Sequence, residues 1–352
     1  IVATGAHERP LVFANNDRPG IMLADALRCY MNRYAVTPGR NIVVATNGAS
    51  AYEAALDAKA HGLFVTIVDY RTRDQIGRER ELAARAGIEI LDNHTVLGTT
   101  GRAQVTGITV APKTASGGVG DARTLACSAV AMSGGWTPVV HLFSQARGRL
   151  HFDAAIDAFV PGASTSGIMS AGACRGRYGL AECIADGFDA GGRAGGAAPC
   201  SGPKFSGAVT ARDVSGFEPV RVMPTNRTSV RDKAFVDFQN DVTTKDLKLA
   251  VQEGFQSIEH VKRYTTTGMA TDQGKTSNMN ALGLVAGLLD VTPPDVGTTT
   301  FRPPYTPVTF GTFAGQNRGD LFDPERVTPI HDWAERNGAK FEDVGLWKRA
   351  WY

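Results

Sequence analysis

The residues best equipped for chemistry sit in one short loop, 262–276. Lys262, Arg263 and Lys275 bring charge, and Thr265, Thr266, Thr267 and Thr276 bring hydroxyls. With backbone N–H groups of the glycine-containing turn, such a set can hold a phosphate through charge-assisted hydrogen bonds. A solvated basic loop that binds nothing is the competing reading, because the sequence does not say which way the loop faces. Elsewhere the chain offers fragments of sites. His7, His61, His94, His141, His151, His260 and His331 lack the spacing of a metal site, so no metal is expected. Cys29, Cys127, Cys174, Cys183 and Cys200 are scattered and odd in number, which fits reduced thiols. No glycine-flanked nucleophile elbow supports a Ser-His-Asp or Cys-His pairing, so no catalytic residue is assigned.

The elements that must position these residues read as α/β. At 352 residues the chain suits two or three domains. A net charge of +2 creates no global field and argues against nucleic acid as a partner. No apolar run approaches the roughly 18–20 residues of a membrane span, and no signal peptide opens the chain; a cytoplasmic location and no membrane partner are expected. Residues 40–45 form an apolar run of the parallel-sheet kind, followed by a turn at Asn47 and Gly48 and an amphipathic helix over 52–61. A second strand over 64–68 ends at Asp69, an acid about 20 residues after the turn, as in a dinucleotide fold. Only Gly48 stands where three glycines would admit a pyrophosphate, which favours a structural unit with an empty turn. A hairpin is expected over 95–110, a strand over 124–132 and a helix over 179–190. Thr243 is expected to cap another helix.

Several segments resemble known families. Ala3, Thr4 and Gly5 resemble the A-T-G turn of two-dinucleotide-domain flavoproteins. Ala171, Gly172 and Ala173, followed by the helix start at Tyr178, Gly179 and Leu180, resemble the G-D turn of disulfide-reductase-like flavoproteins. Where that family has Asp, this chain has Ala173. The stretch 233–278 is similar to the small helical domain of bacterioferritin-associated ferredoxin and of dye-linked amino-acid dehydrogenases. There C-x-C and C-x4-C hold an iron–sulfur cluster; here the four places hold Asp237, Gln239, Asp272 and Ser277. A cluster needs thiolates, so none is expected. Together, and collinearly along the whole chain, these features resemble the alpha-subunit family of heterotetrameric sarcosine oxidases.

The resemblance implies two nested Rossmann-like (disulfide-reductase-like) dinucleotide domains, then a ferredoxin-like helical domain without its cluster, then the start of an α+β folate-binding, aminomethyltransferase-like domain. The expected boundaries are 1–23 with 124–195 for the NAD-binding domain and 24–123 for the inserted one. A linker over 196–230, the helical domain over 231–285 and the folate lead-in over 286–352 complete them. The implied activity is oxidative N-demethylation of sarcosine to glycine with O2, giving H2O2 and 5,10-methylenetetrahydrofolate, or formaldehyde without folate. The implied cofactors are a non-redox NAD against Ala3, Thr4, Gly5, Ala171, Gly172, Ala173, Tyr178, Gly179 and Leu180, and FMN at the boundary with a beta subunit, its phosphate on the loop 262–276. FAD is implied in the beta subunit and tetrahydrofolate in the C-terminal domain; the partners are beta, gamma and delta subunits. Ile1 opens on a strand with nothing upstream to pair it, and the chain closes in an aromatic run at Trp351 and Tyr352, which predicts an inner slice of a longer subunit. Two alternatives stay open: a non-catalytic scaffold subunit of a related amine or amino-acid dehydrogenase complex, and an NADH-dependent flavin reductase, which the poor glycine fingerprint disfavours.

Overall fold

In a computed structural model that describes residues 1–163, 167–196, 202, 217–226, 229, 232–304, 306–316 and 324–352, strands and helices alternate from the start. After β1 (Ala6–Glu8) come β2 (Ile21–Leu23), α1 (Ala24–Tyr34), β3 (Asn41–Thr46), α2 (Ala51–Ala60), β4 (Phe64–Asp69), α3 (Arg78–Arg85) and β5 (Glu89–Leu91). Three antiparallel strands follow: β6 (His94–Thr100), β7 (Gly107–Pro112) and β8 (Arg123–Ala126). Then β9 (Ala129–Ser133) returns to the first sheet, whose order is β2-β9-β3-β4-β5, all parallel. Every residue of β3 after Asn41 is buried, as the apolar run requires for a strand covered on both faces. Alternation along β3 divides the layers. Ile42 and Val44 pack with Leu27, Ala54 and Ala58 of the helices, while Val43 and Ala45 pack with Val96, Ile108 and Val110 of the antiparallel sheet. The small side chains on the buried face of α2 let the helix lie close against the sheet.

The expected strand over 124–132 is two strands in different sheets. At Cys127 and Ser128 the chain crosses over: Cys127 N–H donates to Thr106 O at 3.2 Å and Ser128 N–H to Asn41 O at 2.8 Å. β2 and β9 pair with β3, directly or through one strand, so one sheet draws on residues from both sides of 23/24 and of 123/124.

Beyond β9 the chain passes Gly134 and Gly135 into β10 (Trp136–Pro138), antiparallel to β1. Then come α4 (His141–Gln145), the hairpin of β11 (Leu150–Asp153) with β12 (Ala158–Pro161), and α5 (Leu180–Ala194). Buried Arg9 ties these parts together, bonding Asp157 Oδ2 at 3.0 Å; Arg221 reaches the other oxygen of the same carboxylate. Most of the expected linker 196–230, Cys200 included, lies outside the described residues.

A helical unit follows: β13 (Phe235–Asp237), β14 (Val242–Thr243), α6 (Thr244–Gln252), α7 (Ile258–Thr265), α8 (Asn278–Leu289) and α9 (Pro293–Val296). Its core gathers Val236, Leu247, Val261, Leu282 and Val285. Thr243 caps α6 as the sequence requires: its N–H and hydroxyl both meet Asp246 Oδ2, each at 2.7 Å. These elements belong to a compact unit spanning Ile1–Tyr305. A second unit, Thr306–Tyr352, holds α10 (Phe310–Ala314), β15 (Arg326–Val327), α11 (His331–Arg336), β16 (Phe341–Val344) and β17 (Trp347–Ala350), with sheet order β15-β17-β16. Among the described residues no helix is long and apolar enough to cross a membrane.

Candidate functional site

Two of the predicted cofactor segments meet, and the helix behind the third packs on them. Val2 lies parallel to Ser170: Val2 N–H donates to Met169 O at 2.7 Å, and Ala171 N–H to Val2 O at 2.9 Å. Ala3, Thr4 and Gly5 therefore run on from the same bridge as Ala171, Gly172 and Ala173. Helix α5 packs on this turn, since Asp186 Oδ2 accepts the Gly172 N–H at 2.7 Å. Gly172 sits at φ +77°, where a side chain would be strained. The helix starts at Leu180 behind Gly179, with no side-chain cap on its first N–H groups. Only the Gly179 N–H is taken, by Glu182 Oε2 at 3.4 Å. An uncapped helix start beside a small-residue turn suits an anionic pyrophosphate, and Asp186 already uses the turn's Gly172 donor. Thr4 spends its hydroxyl on Val139 O at 2.5 Å. Tyr178 faces elsewhere: its hydroxyl donates to Trp136 O at 3.4 Å and it lines a crevice with Gly48 and Ser50. Burial pushes its phenol pKa up.

The loop 262–276 departs from the expectation of one phosphate cradle. Lys262 is 4% exposed and donates to Thr300 O at 2.9 Å. Thr265 donates its hydroxyl to Val261 O at 2.8 Å, Thr266 bonds Thr265 O, and Thr267 is buried. Arg263 is exposed but lies 3.3 Å from Glu259. The physical reason is that α7 ends here: its last hydroxyls and its lysine satisfy helix carbonyls and the connector, which a sequence of donors alone cannot reveal. Lys275 and Thr276 lie beyond this knot, and Thr276 lines a groove with Leu23, Met132 and Phe238.

Asp237, Gln239, Asp272 and Ser277 do come together, as two bonded pairs. Ser277 Oγ donates to Asp237 Oδ2 at 3.3 Å, and Asp272 N–H to Gln239 Oε1 at 2.7 Å. Asp237, 1% exposed, is the hub. It also accepts the N–H groups of Gln239 and Asn240 at 3.0 Å and of Gly268 at 2.7 Å. An anion that gathers backbone donors thus stands where the resembled family has a thiolate. Burial raises the Asp272 pKa, the nearby Asp237 charge adding to it against the Thr276 N–H. His141 anchors the loop to the body through Nε2 and Gln273 O at 3.1 Å; burial holds its pKa down at about 4.

Asp69, the acid that closes the second strand of the dinucleotide-fold pattern, is fully buried and committed elsewhere. Arg71 bonds it at 2.8 Å and the Tyr52 hydroxyl at 2.8 Å. Sequence reasoning missed Glu8. It is 5% exposed, accepts the Asp25 N–H at 2.8 Å, and has its pKa pushed up to about 7 by burial. The available signal was an acid heading the apolar run Leu11, Val12, Phe13.

Comparison with known proteins bears on the whole chain. The family described as sarcosine oxidase A3 domain matches residues 231–316. The chain is 42% identical to the sarcosine oxidase subunit alpha of Corynebacterium sp. (strain P-1), over 100% of this chain and 37% of that protein. It is 42% identical to the same subunit of Rhizobium meliloti (strain 1021), over 100% of this chain and 34% of that protein. The chain thus spans about a third of the length of these curated relatives. Among solved structures, L-proline dehydrogenase from P. horikoshii shares the fold, with a TM-score of 0.61, 18% identity and coverage of 89% of this chain and 58% of that one. Along the whole of its length, the chain is thus similar to about a third of the sarcosine oxidase alpha subunit.

Proposed function

We propose that this chain serves an alpha subunit of a heterotetrameric sarcosine oxidase, converting sarcosine and O2 to glycine and H2O2, with the one-carbon unit passed to tetrahydrofolate or released as formaldehyde. What carries the reading is the 42% identity along the entire chain, joined to the meeting of the turns at Val2 and Ser170. In this reading NAD is resident and takes no part in electron transfer. The uncapped start of α5 would hold its pyrophosphate, with the turn at Gly172, Ala3 and Gly5 beside it. FAD belongs to the beta subunit, FMN to the boundary between the two, and tetrahydrofolate to the domain that residues 286–352 begin; gamma and delta subunits complete the complex. Toward FMN, the reading assigns this chain's Lys275 and Thr276, which lie outside the hydrogen bonds that close the end of α7. A scaffold role for the chain is compatible with the same features, because Asp69 cannot serve a dinucleotide.

Extraction of bound small molecules from the assembled complex, followed by mass spectrometry, tests the reading. NAD near one per alpha subunit is expected, and its spectrum should not change on adding sarcosine. Reduction of that NAD at the turnover rate would overturn the non-redox role.

A further inference from the structure

The five-stranded parallel sheet changes direction between β9 and β3, since β4 and β5 build outward on one side and β2 on the other. Open α/β sheets take their ligands in the crevice outside the carboxyl ends of the strands at such a point. Here those ends run into Asn47 and Gly48 after β3, and into Gly134 and Gly135 after β9. The crevice is narrowed from one side. The ring of Phe217, a residue far along the chain, lines it with Trp136 and Tyr178. A Cβ on Gly135 would fall 2.5 Å from Phe217 Cε2, and one on Gly48 3.6 Å from Phe217 Cδ2. The ring is therefore seated against two stretches of bare backbone, as a ligand ring would be.

The next residue fastens it. Glu218 N–H donates to Asn47 O at 3.0 Å, and Asn47 Nδ2 donates back to Glu218 O at 2.9 Å. The Glu218 carboxylate meets Lys113 Nζ at 3.1 Å, and that ammonium lies 3.4 Å from the centre of the Tyr70 ring. Arg9, anchored on Asp157, places its guanidinium 5.7 Å from the Phe217 ring centre. We propose that Phe217 is a built-in occupant of this crevice, standing where the nicotinamide or adenine ring of an external dinucleotide would stand and so excluding it. The neutralised Asp69 belongs to the same arrangement: the ribose acceptor is withdrawn and the ring position is filled. The unit keeps the architecture of an electron-entry module and admits no nicotinamide donor. This stands on the crevice alone and does not depend on which amine is oxidised.

The test titrates NADH, by its own fluorescence, into the assembled protein carrying native Phe217, Phe217→Gly or Phe217→Leu. Hydrogen exchange of residues 47–50 and 133–136 locates any binding. The glycine variant should bind NADH at least tenfold more tightly than the native protein, with protection at those amides, and the leucine variant should stay closed. A thermal melt confirms that the glycine variant is folded; if it is not, Phe217→Ala takes its place under the same criteria. Micromolar NADH binding by the native protein with protection at 47–50 would overturn the proposal. So would a folded glycine or alanine variant that binds no more tightly, or that shows protection only near 171–173.

Discussion

Asp237 concentrates in one side chain what a set of ligands would otherwise do. Its carboxylate receives three backbone N–H groups, the Asn240 amide and the Ser277 hydroxyl. Asp237→Ala would leave buried donors at Gly268 and Ser277 without an acceptor, each at a cost of roughly 1–3 kcal/mol. The expected loss is about 3–5 kcal/mol in urea denaturation, with Asp237→Asn losing less because one oxygen still accepts. A loss below about 1 kcal/mol in the alanine variant would contradict the hub. Glu8 makes a pH prediction. Its pKa rises in the fold from the ordinary 4.5 to about 7 because burial disfavours the carboxylate, against the Asp25 N–H that favours it. The folded state therefore binds this proton more tightly than the unfolded chain. That stabilisation is complete below pH 4.5 and is lost as pH rises through about 7. Glu8→Gln should flatten the stability profile across this window and be the more stable protein at pH 8, by an amount on the order of 3 kcal/mol in denaturation series.

At the scale of elements, β4 and α2 are joined by a charge that has no exit. Arg71 and Asp69 are both 0% exposed, and Tyr52 on α2 donates to the same carboxylate. Removing one partner of a buried pair strands the other, at about 3–5 kcal/mol. Asp69→Ala should therefore lower the unfolding midpoint strongly while leaving the NAD content of the folded fraction unchanged, since the acid serves the core. Loss of NAD in step with Asp69 would mean that this acid reaches a ligand. The turn before α5 should behave in the opposite way. Gly172→Ala forces a side chain into a left-handed conformation at φ +77°, a cost of roughly 1–2 kcal/mol. The expected result is a mild loss of stability with a marked loss of NAD on gel filtration.

Across the whole molecule, Asp157 joins parts that lie far apart in the chain. Arg9 follows β1, Asp157 turns the β11–β12 hairpin, and Arg221 lies in the connector before the helical unit. Asp157→Ala should leave two guanidinium groups facing each other and cost about 3–5 kcal/mol. Protease nicking between the hairpin and the helical unit would report the loosening. The assembled complex offers a separate test of the loop. Lys275→Ala should weaken FMN retention or slow peroxide formation and spare the reduction of FAD by sarcosine, followed by stopped-flow with the two flavins resolved. Lys262→Ala should instead act on stability, because its ammonium holds Thr300 O inside the unit. Unchanged FMN content and unchanged oxidation in Lys275→Ala would return the loop to a purely structural role.

The sequence by itself determined what depends on neighbours a few residues away. The apolar run of β3 and its return in β4 announce a buried parallel sheet, because both faces must be covered. Thr243 and Asp246 announce the start of α6, because a capping box closes within one turn. The small residues at Gly172 and Gly179 announce tight backbone. Facing and burial were decided only by tertiary structure. Lys262 reads as a phosphate ligand until Thr300, 38 positions on, claims it. Asp69 reads as the acid of a dinucleotide fold until Arg71 turns inward, and Trp136 and Phe217 line the crevice from distant parts of the chain. The break at Cys127 was hidden because an apolar run looks the same whether it serves one sheet or two. A donor's type is set by its own residue, but its availability is set by whichever remote group reaches it first, and that is a property of the packed chain.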